Sequence, residues 1–167
     1  MNKNLVFDFT VNKENNTIHI KREFDAEVAL VWDAYTKSEI LDQWWAPKPW
    51  KAKTKSMDFR EGGTWIYAMM GPEGEEHWAV ATYKNIQPYR SFTMHDAFSD
   101  DNGNINTEMP QSKGEVTFTD QGTATLVQFI ISYPDLAQLE ATIAMGFKEG
   151  MAMAMENLDE VLVSLKK

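Results

Sequence analysis

The residues whose types could do chemistry are few in this chain, and their spacing fits no familiar reaction. The three histidines are His19, His77 and His95, and none stands among the converging ligands that a metal site needs. His95 and Asp96 are adjacent, so in a strand they point to opposite faces and form no dyad. Cysteine is absent, which excludes disulfides, thiolate metal sites and cysteine nucleophiles. The sequence therefore predicts no metal site, no cofactor and no catalytic residue.

Nucleophilic and acid–base motifs are also missing. No Ser or Thr lies in a nucleophile elbow, and Gly62-Gly63 does not make a phosphate-binding loop. The carboxylates lack the paired spacing typical of acid–base catalysis; Asp58, Glu61 and Asp96 are those near the predicted pocket region. We interpret Asp58 as part of the turn that precedes the two glycines. These observations favour a binding protein over an enzyme.

Large aromatic and methionine side chains are the strongest signal of a site. Trp44, Trp45 and Trp50 lie beside Pro47 and Pro49, and together they form a rigid apolar surface that must be buried or used. A filled core is the alternative, because regularly spaced aromatics usually pack. Ten methionines favour an adaptable lining, since thioethers fill irregular space. The residues that we expect around a cavity are Trp45, Trp65, Tyr67, Met69, Trp78, Met94, His95, Phe129, Phe147 and Met151.

The net charge of −9 argues against a nucleic-acid partner, because phosphate binding needs dense Lys and Arg. One local exception is a basic stretch made by Lys48, Lys51, Lys53 and Lys55. Lysines on an edge strand protect it from aggregation, which is one interpretation of this stretch. The other is a docking surface for an acidic partner protein.

Membrane and export segments are not predicted. No apolar run approaches the twenty residues of a membrane-spanning helix. The N-terminus lacks the apolar core of a secretory signal. We therefore expect a cytoplasmic protein that does not contact a membrane.

Hydrophobic periodicity predicts the elements of the first third of the chain. Alternation indicates strands over 5–11 and 17–24, joined by a turn. Helical spacing over 27–35 indicates a helix with Asp25 as its N-cap. A second short helix follows, capped by Thr36 or Ser38 and ended near Trp44 by the prolines.

The pattern of the rest of the chain predicts strands followed by one long helix. Strands are predicted over 50–59, 64–70, 76–86, 91–97, 114–120 and 123–132. Asp135 is expected to cap the final helix, with Gln138 completing a capping box. Gly146 and Gly150 interrupt its apolar stripe, which predicts either a break or a very close contact. The helix would measure ~45 Å if it were unbroken.

This order of elements predicts an α+β fold of the helix-grip type. A curved antiparallel sheet wraps around a long C-terminal α-helix, with two short helices after the first strands, and a cavity can remain between them. We expect one domain over 1–167, with residues 1–16 as an N-terminal strand extension. The chain is predicted to be a monomer, or a homodimer paired through the edge of the N-terminal hairpin.

Several segments resemble one known family. They are Arg22-Glu23-Phe24-Asp25-Ala26, Val31-Trp32-Asp33-Ala34-Tyr35-Thr36, Trp44-Trp45-Ala46-Pro47 and Asp58-Phe59-Arg60-Glu61-Gly62-Gly63-Thr64-Trp65. Phe147-Lys148-Glu149-Gly150-Met151 and Asn157-Leu158 also match, in the final helix. Their order is similar to that of the homologues of the activator of the ninety-kilodalton heat-shock chaperone ATPase, within the START-like, birch-pollen-allergen superfamily.

The resemblance implies three functions. Members of the superfamily commonly hold apolar ligands, which implies a non-enzymatic protein that binds a small hydrophobic molecule. The family name implies a co-chaperone-like module of the stress response, with a heat-shock chaperone as partner. Its surface would be the lysine-containing segment 48–60 and the exposed Trp-Pro loop. Cyclases and aromatases with the same cavity imply an enzyme, for which His95, Tyr67 and Asp96 are the candidate residues.

Overall fold

The computed structural model describes residues 7–166, and these form one antiparallel sheet with four helices packed against it. The strands are β1 (Phe7–Asn12), β2 (Thr17–Phe24), β3 (Lys51–Met57), β4 (Thr64–Met70), β5 (Glu76–Gln87), β6 (Ser91–Phe98), β7 (Gln111–Asp120) and β8 (Thr125–Ser132). The helices are α1 (Val28–Thr36), α2 (Ser38–Trp44), α3 (Leu136–Ala144) and α4 (Phe147–Leu165). The spatial order of the strands is β1-β2-β8-β7-β6-β5-β4-β3. The predicted α+β helix-grip fold, with a curved sheet around a long C-terminal helix, is confirmed.

The inner face of the sheet follows the period-two alternation of the sequence. On β2 the side chains of Ile18, Ile20 and Phe24 are fully buried, and their neighbours in sequence are less so. The predicted first strand began at Leu5, but Leu5 and Val6 lie outside the described residues. A fully buried Ile or Phe side chain stabilises the fold by ~1.5–3 kcal/mol, so this face supplies much of the driving force for folding.

The two short helices form where helical spacing placed them, but their capping differs from the prediction. Asp25 does not cap α1: the N-cap position is Glu27, which makes no side-chain capping bond. Asp25 instead forms an ion pair with Lys166, at 3.8 Å. The Thr36 hydroxyl donates back to the Trp32 carbonyl, so it does not cap α2. Tertiary packing of the buried Trp and Tyr side chains therefore outweighs local capping in these helices.

The predicted single C-terminal helix is two helices, α3 and α4, separated at Met145 and Gly146. Gly146 adopts a left-handed φ of 86°, which ends the helical path and suits glycine. Asp135 caps α3 as predicted, with its Oδ1 accepting from the Gln138 N–H at 2.9 Å. The Gln138 Oε1 accepts from the Gln111 N–H instead of closing a capping box, and so ties α3 to β7. The break separates α3, which is hydrogen-bonded to β7, from α4, which lines the cavity with four residues.

Candidate functional site

A cavity of about 620 Å³ lies between the sheet and the two C-terminal helices. Its floor runs across four neighbouring strands and includes Tyr67 of β4, Ala79 of β5, Asp96 of β6 and Ser112 of β7. Tyr67 pairs with Ala79, and Asp96 lies between Ala81 and Ser112, whose short side chains leave open space on both sides of its carboxyl. The strands place these residues together because each points to the inner face at its register position.

The roof of the cavity is one stripe of α4. Phe147, Gly150, Met151 and Ala154 follow the i, i+3, i+4, i+7 spacing of a single helix face, and all four line the cavity. Gly150 lies beside Pro47, because an added Cβ at this position would be 3.7 Å from the Pro47 Cγ. The roof therefore combines two large side chains at its edge with two small residues above the open space.

The loop after α2 closes one side with aromatic rings. The Trp45 Nε1 donates to the Tyr67 hydroxyl at 3.2 Å, which joins the loop to the floor. Trp50 lies edge-on to the His77 imidazole, with ring centroids 5.2 Å apart. These contacts hold the Trp-Pro segment against the sheet, and so give the cavity a preformed wall.

Asp96 is the polar centre of the cavity. Its Oδ1 is buried and has no hydrogen-bond partner among the described residues. Burial raises the pKa of the Asp96 carboxyl to about 7, because loss of water penalises the charged form. The Ala97 backbone and the Tyr67 hydroxyl act in the opposite direction by favouring that form. The carboxylate is therefore costly to ionise here and lacks full compensation from the protein.

Tyrosine hydroxyls, rather than cations, are the groups that interact with Asp96. Burial raises the pKa of Tyr67 well above its usual value, and the Asp96 charge raises it further. The same two causes raise the pKa of Tyr83. Burial also raises the pKa of Tyr133 to about 12. All three hydroxyls therefore stay protonated at neutral pH.

The family of the chain follows from a comparison with known protein families. Residues 25–163 match the model of the family described as Activator of Hsp90 ATPase homolog 1-like protein. The chain belongs to this family. The match extends from three residues before α1 into the last turn of α4, so it includes every element that surrounds the cavity of this family member.

Solved structures show the same architecture. Protein Ms6760 from Mycobacterium smegmatis is 29% identical, with 95% of this chain and 96% of that chain covered and a TM-score of 0.86. A protein from Arthrobacter aurescens is 27% identical, with 94% and 91% covered and a TM-score of 0.88. One from Staphylococcus epidermidis is 26% identical, with 93% and 94% covered and a TM-score of 0.81. No curated protein matches the chain.

Half of the residues that the sequence placed around a cavity lie in its lining: Trp45, Tyr67, Met69, Phe147 and Met151. Their role in binding a ligand stays a prediction. They come from three separate parts of the chain, namely the loop after α2, strand β4 and helix α4. The sheet and the helix bring these parts together.

The other five predicted residues lie elsewhere. Trp65 stacks on Tyr67 with ring centroids 3.9 Å apart, and its Nε1 donates to the Thr54 hydroxyl. Met94 and Phe129 are buried in the core beside the cavity. Trp78 and His95 alternate with the lining residues Ala79 and Asp96, so they occupy the opposite face of the sheet. His95 is therefore not positioned to act in the cavity.

Asp96 was considered only as an enzyme candidate, although simple alternation could have placed it in the lining. Met94 and His95 were both predicted to face the cavity, which a strand does not permit. Counting by two from the buried Phe92 and Met94 reaches Asp96 and then Phe98, and both line the cavity. On α4, counting by three from Phe147 and Met151 likewise reaches Gly150 and Ala154. The sequence analysis did not predict these two residues in the lining, because it selected large apolar side chains and glycine and alanine have none.

The predicted lysine surface lies on the edge of the sheet. Lys51, Lys53 and Lys55 point outward from β3, which is the last strand of the sheet. The Lys55 Nζ donates to the Asp101 carbonyl, and Lys48 pairs with Glu160 at 3.6 Å. The position agrees with protection of an edge strand. A role in binding a partner protein stays a prediction.

Residues 7–166 show neither a metal site nor a membrane-spanning helix. No group of three or more His, Asp or Glu side chains in this range could hold a metal ion. No helix in this range is both long enough and apolar enough to span a bilayer. The cavity combines space for a small molecule with a carboxyl oxygen that is unpaired among the described residues.

Proposed function

We propose that this family member is a non-enzymatic binding protein that holds a small, mainly hydrophobic molecule between the sheet and α4. The observation that carries this proposal is the cavity of about 620 Å³. Its volume lies within the range of ~300–1,000 Å³ that small-molecule sites usually have. The superfamily resemblance supports the same function, because members of that superfamily commonly hold apolar ligands.

The composition of the lining also supports a binding role. Six aromatic side chains line the cavity, together with Met69, Met145 and Met151. Aromatic rings offer large contact areas at low cost in conformational entropy, and methionine adapts to irregular shapes. The described lining holds no second carboxylate that could share acid–base work with Asp96. These features suit selection by shape and burial rather than a chemical step.

Native mass spectrometry of the freshly purified protein tests the proposal directly. We expect an additional mass that disappears on denaturation, and extraction then identifies the ligand. Binding of a neutral hydrophobic probe such as Nile red, followed by fluorescence, provides a second measurement. A clean protein mass together with no probe binding would contradict the proposal.

A variant that fills the cavity gives the sharper test. Gly150→Leu adds a side chain that starts beside Pro47 and extends into the open space under α4. We expect it to weaken binding by about tenfold or more, because the apolar contact area of the ligand is lost. Met153→Leu is the matched control on the same helix, at a position that is 40% exposed and outside the lining. Equal binding by the two variants would place the ligand elsewhere.

A further inference from the structure

One oxygen of the Asp96 carboxyl is unpaired inside a mainly apolar site. Its Oδ1 is buried without a hydrogen-bond partner among residues 7–166. Its neighbours across the sheet are Ala81 and Ser112, and neither brings a positive charge. Buried acceptors in folded proteins are nearly always paired, so an unpaired one marks a position where a ligand can supply the missing donor.

The groups that face Asp96 from each packed element are neutral. Tyr67, Tyr83 and Tyr133 approach from β4, β5 and the end of β8, and each interacts with the carboxyl electrostatically. The cavity-facing stripe of α4 carries no ionisable side chain. His77 is a further titratable side chain in the described lining, and it lies at the loop wall, where it contacts Trp50.

Nearby lysines are engaged elsewhere. The Lys148 Nζ lies 5.7 Å from the centre of the Phe9 ring, on a different face of α4 from the cavity stripe. Lys48 pairs with Glu160. Among the described lining residues there is no Lys or Arg, so no lining side chain supplies a permanent cation to Asp96.

Aromatic rings surround the space in front of the carboxyl. Trp45, Trp50 and Phe147 line the cavity together with Tyr67 and Tyr133. The faces of such rings attract cations through their quadrupoles, most strongly when water is excluded. The net charge of −9 further concentrates cations near the protein.

We infer that the cavity selects a hydrophobic amine, whose protonated nitrogen pairs with Asp96 while its apolar body lies beneath α4. This inference rests on the proposed function and names its ligand class. An ammonium group supplies both the missing donor and the missing positive charge. A neutral alcohol would supply the donor alone, and a carboxylate would be repelled by Asp96 and disfavoured in the apolar site.

Three probes with one carbon skeleton test the inference: 4-phenylbutylamine, 4-phenylbutanol and 4-phenylbutyrate. Titration calorimetry at pH about 8 should show the amine binding about ten- to a hundredfold more tightly than the alcohol, as expected for a charge-assisted hydrogen bond. The carboxylate should bind most weakly. Asp96→Asn keeps the shape of the side chain but removes its charge, so the amine should lose its advantage while the affinity for the alcohol stays the same.

A second measurement on the unmodified protein does not depend on that variant folding. The affinity for the amine should increase as the pH rises from about 5 to 8, because Asp96 ionises across this range while the amine stays protonated. Equal or tighter binding of the alcohol would overturn the inference, as would an amine affinity that does not change with pH. Failure of all three probes to bind would instead contradict the proposed function, so the two failures are distinguishable.

Discussion

The space between the sheet and the helices has two ends, and both are rich in aromatic side chains, yet one is filled and the other is open. At the filled end, Trp32 of α1 packs against Phe59, Phe92 and Phe118, with ring centroids 5.0–5.8 Å apart. At the open end, the rings of Trp45, Tyr67 and the lining residues of α4 surround the cavity instead of filling it. Aromatic density therefore does not by itself separate a core from a binding site.

The difference lies in the small residues that face the rings. Helix α1 inserts Trp32 and Tyr35 into the filled end, and the ring centroids of Tyr35 and Phe118 are 5.3 Å apart. The stripe of α4 instead presents Gly150 and Ala154 to the open end, opposite the short side chain of Ala79. Protein interiors are close-packed only where side chains fill the volume between elements. Small residues on both the sheet and α4 therefore leave a cavity.

The largest effect that we expect is a difference in the free energy of unfolding between two variants, each with one large side chain truncated at one of the two ends. Trp32 is 6% exposed, and Trp32→Ala should lower the free energy of unfolding by ~3–5 kcal/mol, since it leaves a hole in a packed core. Met151→Ala borders space that is already open, so it should cost only about 1 kcal/mol or less. Urea denaturation of both variants measures the difference. Equal losses would mean that the cavity end is packed as tightly as the other.

The next effect is a change in how stability depends on pH. The folded pKa of Asp96 is about 7, above its ordinary value of 3.8. Between these values the unfolded chain has released the proton while the folded chain still holds it, so stability falls as the pH rises through this window. Asp96→Asn removes the cost of ionisation, and it should be more stable than the unmodified protein by ~1–3 kcal/mol at pH about 8.

Urea denaturation at pH about 4 and about 8 checks this prediction, because the advantage of Asp96→Asn should shrink at the lower pH. Glu108→Gln is the control, since Glu108 is an exposed loop residue outside the cavity lining. The control should follow the unmodified protein. A constant difference between Asp96→Asn and the unmodified protein would show that ionisation of Asp96 is not the cause.

The smallest effects that we expect are opposite changes in the free energy of unfolding when either glycine beside the cavity is replaced by alanine. Gly146→Ala should lower the free energy of unfolding by ~1–2 kcal/mol, because the left-handed φ of 86° strains any residue with a Cβ. Gly150→Ala should raise it by ~0.5–1 kcal/mol, because alanine favours the helix and its Cβ makes an ordinary contact with Pro47. Thermal unfolding followed by circular dichroism measures both. Changes of the same sign would contradict the distinct roles of the two positions.

The elements were predictable because their signals are local. The bounds of β2 and β4 agree with the alternation of the sequence at every residue. A break and a very close contact were the two outcomes considered for the final helix, and Gly146 shows the break. Gly150 does not show the very close contact, because a Cβ there would make only an ordinary contact with Pro47. The caps of α1 and α2 were predicted wrongly, because propensity for a cap is weak compared with burial of Trp32 and Tyr35.

The lining of the cavity was only partly predictable, because hydrophobicity identifies large buried residues without showing whether they line a cavity or fill the core. Trp65, Met94 and Phe129 carry the same signal as Tyr67 and Met69, but they pack in the core. His95 was predicted to lie in the cavity lining, but Asp96 lies there instead. The side of the sheet that each faces is determined by register, which is a property of the whole strand.

The sequence by itself determined the α+β helix-grip class, the family, the strand alternation and the absence of cysteine chemistry. These depend on periodicity, turn residues and composition, which act within a few neighbouring positions. Only the tertiary structure decided that one end of the interior is open and that Asp96 faces it without a partner. Both facts depend on how side chains of β4 to β7 pack against those of α4. No local sequence pattern shows whether that packing fills the interior or leaves a cavity.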